Sequence, residues 1–569
     1  MSTKNVELLL VHADSHQPVT PEGLPAEAAA QAPRDEAREA HEESHLWDDG
    51  EDPNSLPAQR WGLVAPEGPE GDRLLALIEP LRQRRQEQQE GHPVRVYRVK
   101  QGLAAEARSL EHFSRWVRTV LDDESVPVAD RPRYLLFLGD FDQVPFELQQ
   151  CAASSAFVGR LAFRREQDYE AYVDKVLRWE NKPSTEEQAR TLFFTVHDGT
   201  AATTTGYQSL VAPGIASARQ AHELGRFPMR ELRELGGPGE PGVGALFEQA
   251  ARAQPSILFS MSHGLGSPRA GWRNADTRLA LQGALNLGEG QHLDGAALAN
   301  RPFLPGGIWF LFACFGAGTP SRSAFQHWLR QLQAGGQFSG RLDSLTASLP
   351  QPGERPFVAA LPQAALANPN GPLAVFGHVD LAWTYGFQDR DSRRGKVSRF
   401  LEPLQQLARG RRAGLGMGWL MRGFNQANLE LTTLYDVEEE ARGAGRPSQV
   451  EPLQRAHLWM LRQDLSGYVL LGDPAVKLPL AQPALERTLP SSLGLPALSP
   501  EAPAPVAPTP PRAPQDAKEL EFAVLELASH RLELAQKLGV SPEQLQQWEQ
   551  LFLEGGRQAL VAHLGAKRG

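Results

Sequence analysis

Two apolar, strand-like runs each deliver a reactive side chain into a glycine-rich loop. Ile257-Leu258-Phe259-Ser260-Met261-Ser262-His263-Gly264-Leu265-Gly266 brings a histidine, and Ile308-Trp309-Phe310-Leu311-Phe312-Ala313-Cys314-Phe315-Gly316-Ala317-Gly318 brings a cysteine. The two side chains are 51 positions apart, room for one crossover, so adjacent parallel strands would put both at one edge of a sheet. A histidine beside a cysteine takes the thiol proton, and the thiolate is the nucleophile. The glycines admit a substrate backbone and leave N–H groups free to face a developing oxyanion. Taken singly, Cys314 reads as a small buried hydrophobe and His263 as a loop histidine bonded to a carbonyl. Their joint placement favours chemistry. Cys151, the other of two cysteines, follows Gln149-Gln150 away from such a strand end and is expected to pack.

Further apolar runs recur between helix-length stretches: Trp61 to Val64, Val94 to Val99, Tyr134 to Leu138, Leu192 to Val196, Leu373 to Phe376 and Tyr468 to Leu471. Continuous apolar strands are those buried on both faces, and helical patterns such as Leu74, Leu75, Leu77, Ile78 and Leu81 supply the crossovers. The expected fold is an α/β sandwich around a largely parallel sheet. In such sheets, functional groups collect beyond the carboxyl ends of the strands. His197-Asp198-Gly199 ends another strand, but no cysteine follows one crossover on; the motif reads as a structural turn, with a place for His197 in the cleft wall as the alternative.

At 569 residues and 62.4 kDa the chain exceeds what one hydrophobic core serves. The expected division is an N-terminal segment with an acidic flexible linker (1–56), an α/β subdomain (57–185), the subdomain carrying His263 and Cys314 (186–480), a Pro-rich linker (481–515) and a small helical module (516–569). The net charge is −10, and the stretch from Arg34 to Asp52 alone holds nine acidic against two basic residues. The near-neutral remainder lacks the clustered Lys and Arg of a nucleic-acid binder, so no nucleic-acid partner is expected. Two cysteines exclude a disulfide-stapled scaffold and a cysteine-rich metal module; a reducing compartment is expected, with no metal and no cofactor. No apolar run approaches the roughly 20 residues that span a bilayer, and Val6-Glu7-Leu8-Leu9-Leu10-Val11 is too short and poorly flanked for a signal peptide. A cytoplasmic protein with no membrane role is expected.

The Ser-His-Gly at a strand end, the Ala-Cys-Phe-Gly-Ala-Gly that follows and the closing Leu-Leu-Gly-Asp-Pro-Ala-Val-Lys-Leu at 470–478 resemble the caspase-like (clan CD) cysteine peptidases, nearest the CHAT and gingipain-like (C25-type) branches. The likeness extends upstream through Tyr134 to Asp140, Gln143-Val144-Pro145-Phe146 and Val158-Gly159-Arg160-Leu161, and covers roughly residues 57 to 480. It implies a caspase/gingipain-like sandwich in which 57–185 is the half without the nucleophile. It also implies that Cys314 is the nucleophile, His263 the general acid/base, and the Gly264 and Cys314 N–H groups the oxyanion hole. The activity implied is that of a cysteine endopeptidase cleaving protein substrates through a thioester, acting as a regulated bacterial stress or immune (antiviral) effector. One departure concerns specificity. Arginine-specific gingipain-like enzymes place an acidic pocket residue before Val-Gly, whereas Cys151 to Phe157 has none here. Asp380 beside Trp383 is the alternative pocket floor, although a carboxylate satisfied by backbone amides is the simpler reading. Two rivals to the peptidase are an inactive caspase-like scaffold and a DNA-associated regulator.

From Glu519 the pattern is helical. Ser541-Pro542-Glu543-Gln544 opens a second helix with a serine cap and glutamine at the capping-box position, and Leu545, Trp548, Leu551 and Phe552 form its apolar face. The turn resembles a helix-turn-helix. Its exposed positions carry no Arg or Lys, and 516–569 holds eight acidic against six basic residues, so protein docking or self-association is expected over DNA binding.

Overall fold

The computed structural model describes residues 5–25, 28, 52–103, 110–237, 242–336, 341–387 and 396–481. The Pro-rich linker and the helical module at 516–569 lie outside the described residues.

Ten strands form one sheet: β1 (Trp61–Pro66), β2 (Arg95–Val99), β3 (Tyr134–Leu138), β4 (Phe157–Leu161), β5 (Arg190–Thr195), β6 (Glu231–Leu235), β7 (Ser256–Met261), β8 (Ile308–Phe312), β9 (Ala374–His378) and β10 (Tyr468–Leu471). Their order is β2-β1-β3-β4-β10-β9-β8-β7-β5-β6. Every pairing is parallel except β9 with β10, so β1–β4 and β10 run one way and β5–β9 the other. Helices cover both faces, as an α/β fold requires, because the inner strands are apolar throughout and must be buried on both sides.

All eight apolar runs read from the sequence lie in this sheet. Two further strands carry no continuous apolar run: β4, Phe-Val-Gly-Arg-Leu, and β6, Glu-Leu-Arg-Glu-Leu, an edge strand whose half-exposed face tolerates charge.

β10 joins the two halves, and the motif after it explains the joint. Asp473, fully buried, accepts from Arg85 Nε (2.7 Å) and Trp61 Nε1 (2.9 Å), tying the end of β10 to β1 and to the helix Glu79–Gln88. Arg85 also forks onto Glu180, so its charge is neutralised from two sides. Breaking such a pair from one side leaves an uncompensated buried charge, at a cost of about 3–5 kcal/mol.

The N-terminal run, to which the sequence assigns no structural role, is packed into the fold. Leu8 to Val11 are fully buried, and Asn5-Val6 pairs antiparallel with Leu24-Pro25. The acidic stretch 29–51 lies outside the described residues.

Candidate active site

β7 and β8 are adjacent and in register, Met261 opposite Phe312, so His263 and Cys314 each follow two residues beyond the same level of the sheet. Aromatic contacts hold these strands: Phe259 lies 5.2 Å from Phe310, which stacks on Phe376 at 5.7 Å. Each such pair adds about 0.5–1.5 kcal/mol beyond area burial. Past the strands, Ser262 N–H donates to Phe312 O and Asn286 N–H to His263 O. A Cβ on Gly264 would fall 1.9 Å from Cys314 O, so only glycine allows the two loops to meet. Phe315 turns the chain after Cys314 with φ +55°, a conformation rare for a bulky residue, and donates its N–H to Asp380 O at 2.9 Å.

His263 is wholly buried. Its Nε2 lies 2.8 Å from Thr200 Oγ1 and 3.6 Å from Asp198 Oδ2. Thr200 donates its hydroxyl to Asp198 Oδ1 (2.8 Å), as does Thr203 (2.7 Å), and Asn286 Nδ2 donates to Asp198 Oδ2 (3.3 Å). With the Thr200 proton committed to Asp198, the Thr200 oxygen accepts from Nε2–H. This tautomer leaves the Nδ1 lone pair without a partner. Burial pulls the imidazole down to about 4, against the Asp198 charge, so the ring is neutral at pH 7 and available as a base.

Cys314 is equally enclosed. Its Sγ accepts from Ala382 N–H at 3.1 Å and lies 3.5 Å from Ala382 O, and no hydrogen bond joins it to His263. Burial holds the thiol well above its ordinary range, opposed by the Ala382 amide. The resting pair is therefore thiol and neutral imidazole.

The pocket candidates separate. Asp380 is buried, but its Oδ2 accepts from Ala324 N–H (2.7 Å) and its Oδ1 from Leu381 N–H (2.8 Å). Burial lifts it to about 6. Trp383 is buried against Phe325 and Trp328, and its backbone N–H donates to Asp464 Oδ1 at 2.9 Å. His197 is exposed, edge-on to Tyr207 at 4.8 Å; its neighbour Asp198 is the residue that faces His263. Cys151 is half-buried on the helix Phe146–Ala152.

Sequence reasoning passed over Asp198, Thr200, Asn286 and Asp464. Asp198 belongs to the His197-Asp198-Gly199 strand end, where the histidine is the more conspicuous side chain. It also passed over the N-terminal run: the Gly264 N–H, an expected oxyanion donor, donates to Leu9 O at 2.8 Å.

Residues 64–229 match the model of peptidase family C25. That stretch is similar to peptidase family C25. The matched stretch stops before His263 and Cys314, so their pairing rests on the strand-end geometry. Three solved structures are similar, each over 74% of the chain. The complex of Porphyromonas gingivalis RgpB pro- and mature domains shares 13% identity at a TM-score of 0.40, with 79% of its own chain covered. The Arg-specific cysteine proteinase gingipain R shares 13% at 0.39, with 78% covered. A structure described as a protease shares 11% at 0.37, with 78% covered. No curated protein matches the chain. Among the described residues, no helix is long and apolar enough to cross a membrane, and no cluster of His, Cys, Asp or Glu is arranged to hold a metal ion.

Proposed function

We propose that the chain is a cysteine endopeptidase in which Cys314 is the nucleophile and His263 the general acid/base. The observation that carries this reading is the meeting of two in-register strand ends at Gly264 and Cys314, with an unpartnered Nδ1 on a buried, neutral imidazole. His263 Nδ1 takes the thiol proton, and Sγ attacks a peptide carbonyl whose oxygen turns toward the N–H groups of Gly264 and Cys314. The tetrahedral adduct collapses as His263 protonates the leaving amine, and water hydrolyses the thioester. A positioned base contributes about 10²- to 10⁴-fold, and one oxyanion donor about 2.7–4 kcal/mol. Asp198, Thr200 and Asn286 act through His263: they fix its tautomer and stabilise the imidazolium that forms.

In this reading the protein works in the cytoplasm as a regulated effector of a bacterial stress or immune response, and residues 516–569 recruit a protein partner or a second copy of the chain. Exposing a peptide library to wild type and Cys314→Ala tests the activity. Cleavage that disappears in the variant supports it, and equal cleavage by both, or by neither after Cys314 has been made accessible, refutes it.

A further inference from the structure

Residues 7–12 run through the site in two kinds of pairing. Leu8 lies antiparallel opposite Trp383, with Leu9 N–H donating to Ala382 O (3.3 Å) and Thr384 N–H to Glu7 O (3.2 Å). At Leu10 the partner changes: Leu10-Val11-His12 runs parallel to Gly264-Leu265-Gly266. The change of partner falls at the carbonyl of Leu9, whose oxygen takes the Gly264 N–H at 2.8 Å. The Leu9 backbone is also among the groups that bear on the Cys314 thiol. The Leu9–Leu10 peptide unit thus has its oxygen on an oxyanion donor, and the Leu9 N–H just before it donates to Ala382 O, the same oxygen that lies 3.5 Å from Cys314 Sγ.

The segment is braced on both sides of that unit. His12 Nδ1 lies 2.8 Å from Ser267 O, and His16 Nδ1 lies 3.0 Å from Oδ1 of Asn286, the residue that supports Asp198. Upstream, Asn5 and Val6 are paired to Leu24-Pro25. The Leu9 side chain is completely buried in the apolar core, and Asp380, the one carboxylate expected to receive a basic side chain, is consumed by two backbone amides.

Resting on the proposed role of Cys314, we infer that Glu7-Leu8-Leu9-Leu10 occupies the cleft as a peptide substrate does, with Leu9 as the acyl-side residue and Leu9–Leu10 as the bond presented. Two consequences belong to this arrangement. The site selects extended peptides with an aliphatic side chain at the acyl position, and no second peptide enters until the segment leaves or is cut. Cutting forms the bond from Cys314 Sγ to the Leu9 carbonyl carbon and breaks the bond from that carbon to Leu10 N. The thiol proton passes through His263 to the new amine, and water then releases Leu9 as a carboxylate.

The test is alkylation of the full chain by iodoacetamide, read by peptide mass with Cys151 as the internal reference. In wild type, Cys314 is expected to react more slowly than Cys151. In Leu9→Asp, a carboxylate that resists burial expels the segment, and Cys314 labelling rises at least about tenfold. The aldehyde of Val-Glu-Leu-Leu then restores protection at lower concentration than the aldehyde of Val-Glu-Leu-Arg. Leu9→Ala, which keeps the segment apolar, gives a smaller rise and serves if Leu9→Asp does not fold. Cys314 as reactive as Cys151 in wild type, labelling unchanged in both variants, or better protection by the arginyl aldehyde would overturn the inference. Hydrolysis by a wild-type chain whose Cys314 is freely alkylated overturns the occupancy and leaves the peptidase standing. Protection that follows the expected pattern in a chain that cleaves nothing even as Leu9→Asp upholds the occupancy and removes the peptidase.

Discussion

The Asp198 carboxylate reaches His263 Nε2 at 3.6 Å with the Thr200 hydroxyl set between them. Because Asp198 holds Thr200 as a donor, Thr200 can only accept from the imidazole, and the proton stays on Nε2. Asp198→Asn removes that constraint and the charge facing the imidazolium. Its kcat is expected to fall by part of the about 10²- to 10⁴-fold that a positioned base supplies, with KM little changed. The acid limb of kcat against pH should also move down, because the charge that raises the His263 pKa is gone. A uniform loss at every pH would mean a structural role only.

Gly264→Ala should inactivate and destabilise together. The added Cβ meets Cys314 O at 1.9 Å, inside any tolerated contact, and must push apart the loops that carry the two reactive groups. Overpacking of this kind costs about 1–3 kcal/mol. A variant with wild-type thermal midpoint and wild-type peptide hydrolysis would contradict the geometry.

Asp380→Asn tests what the carboxylate is for. If it caps the Ala324 and Leu381 amides, the variant loses stability by about 1–3 kcal/mol, since one buried amide N–H is left facing an NH2 group with no acceptor, while the preferred acyl-side residue is unchanged. A loss of cleavage after Arg or Lys in this variant would instead make Asp380 a specificity residue.

Asp464 gives the fold a pH dependence of known sign. Buried and facing the Trp383 N–H, it is lifted by desolvation from 3.8 to about 8. The folded state therefore holds a proton that the unfolded chain has lost, and this contribution to stability is complete below the unfolded pKa and disappears as pH rises through the folded one. The difference in urea midpoint between wild type and Asp464→Asn should widen against wild type as pH is raised from about 5 to about 8. A constant difference across that interval would show that Asp464 is already ionised in the fold.

How much of this was legible in the sequence follows from the range of the interactions involved. Runs such as Tyr134 to Leu138 and Ile308 to Phe312 announce themselves because burial on both faces leaves a continuous apolar string. The same rule misses Glu231–Leu235, which sits at the sheet edge and keeps alternating charge. His263 and Cys314 were visible because the strand ends are local signals. Their surroundings were not: Leu9 with Ala382, and His16 with Asn286, are pairings between segments hundreds of residues apart, the first made through backbone atoms that every residue carries. Gly264–Gly266 shows no strand propensity at all, and becomes one only because Leu10 to His12 lies beside it.

The antiparallel seam of the sheet bears on how the chain is made. β10 lies between β4 and β9 yet comes last among the strands, so a chain still emerging from a ribosome has β4 and β9 each with one flank unpaired until Leu471 is available. Unpaired strand edges recruit other chains. Products ending before Tyr468 should therefore aggregate during synthesis, and the joined sheet, with its buried Asp473 and Arg85, closes only after nearly all of the sheet-forming chain has been translated.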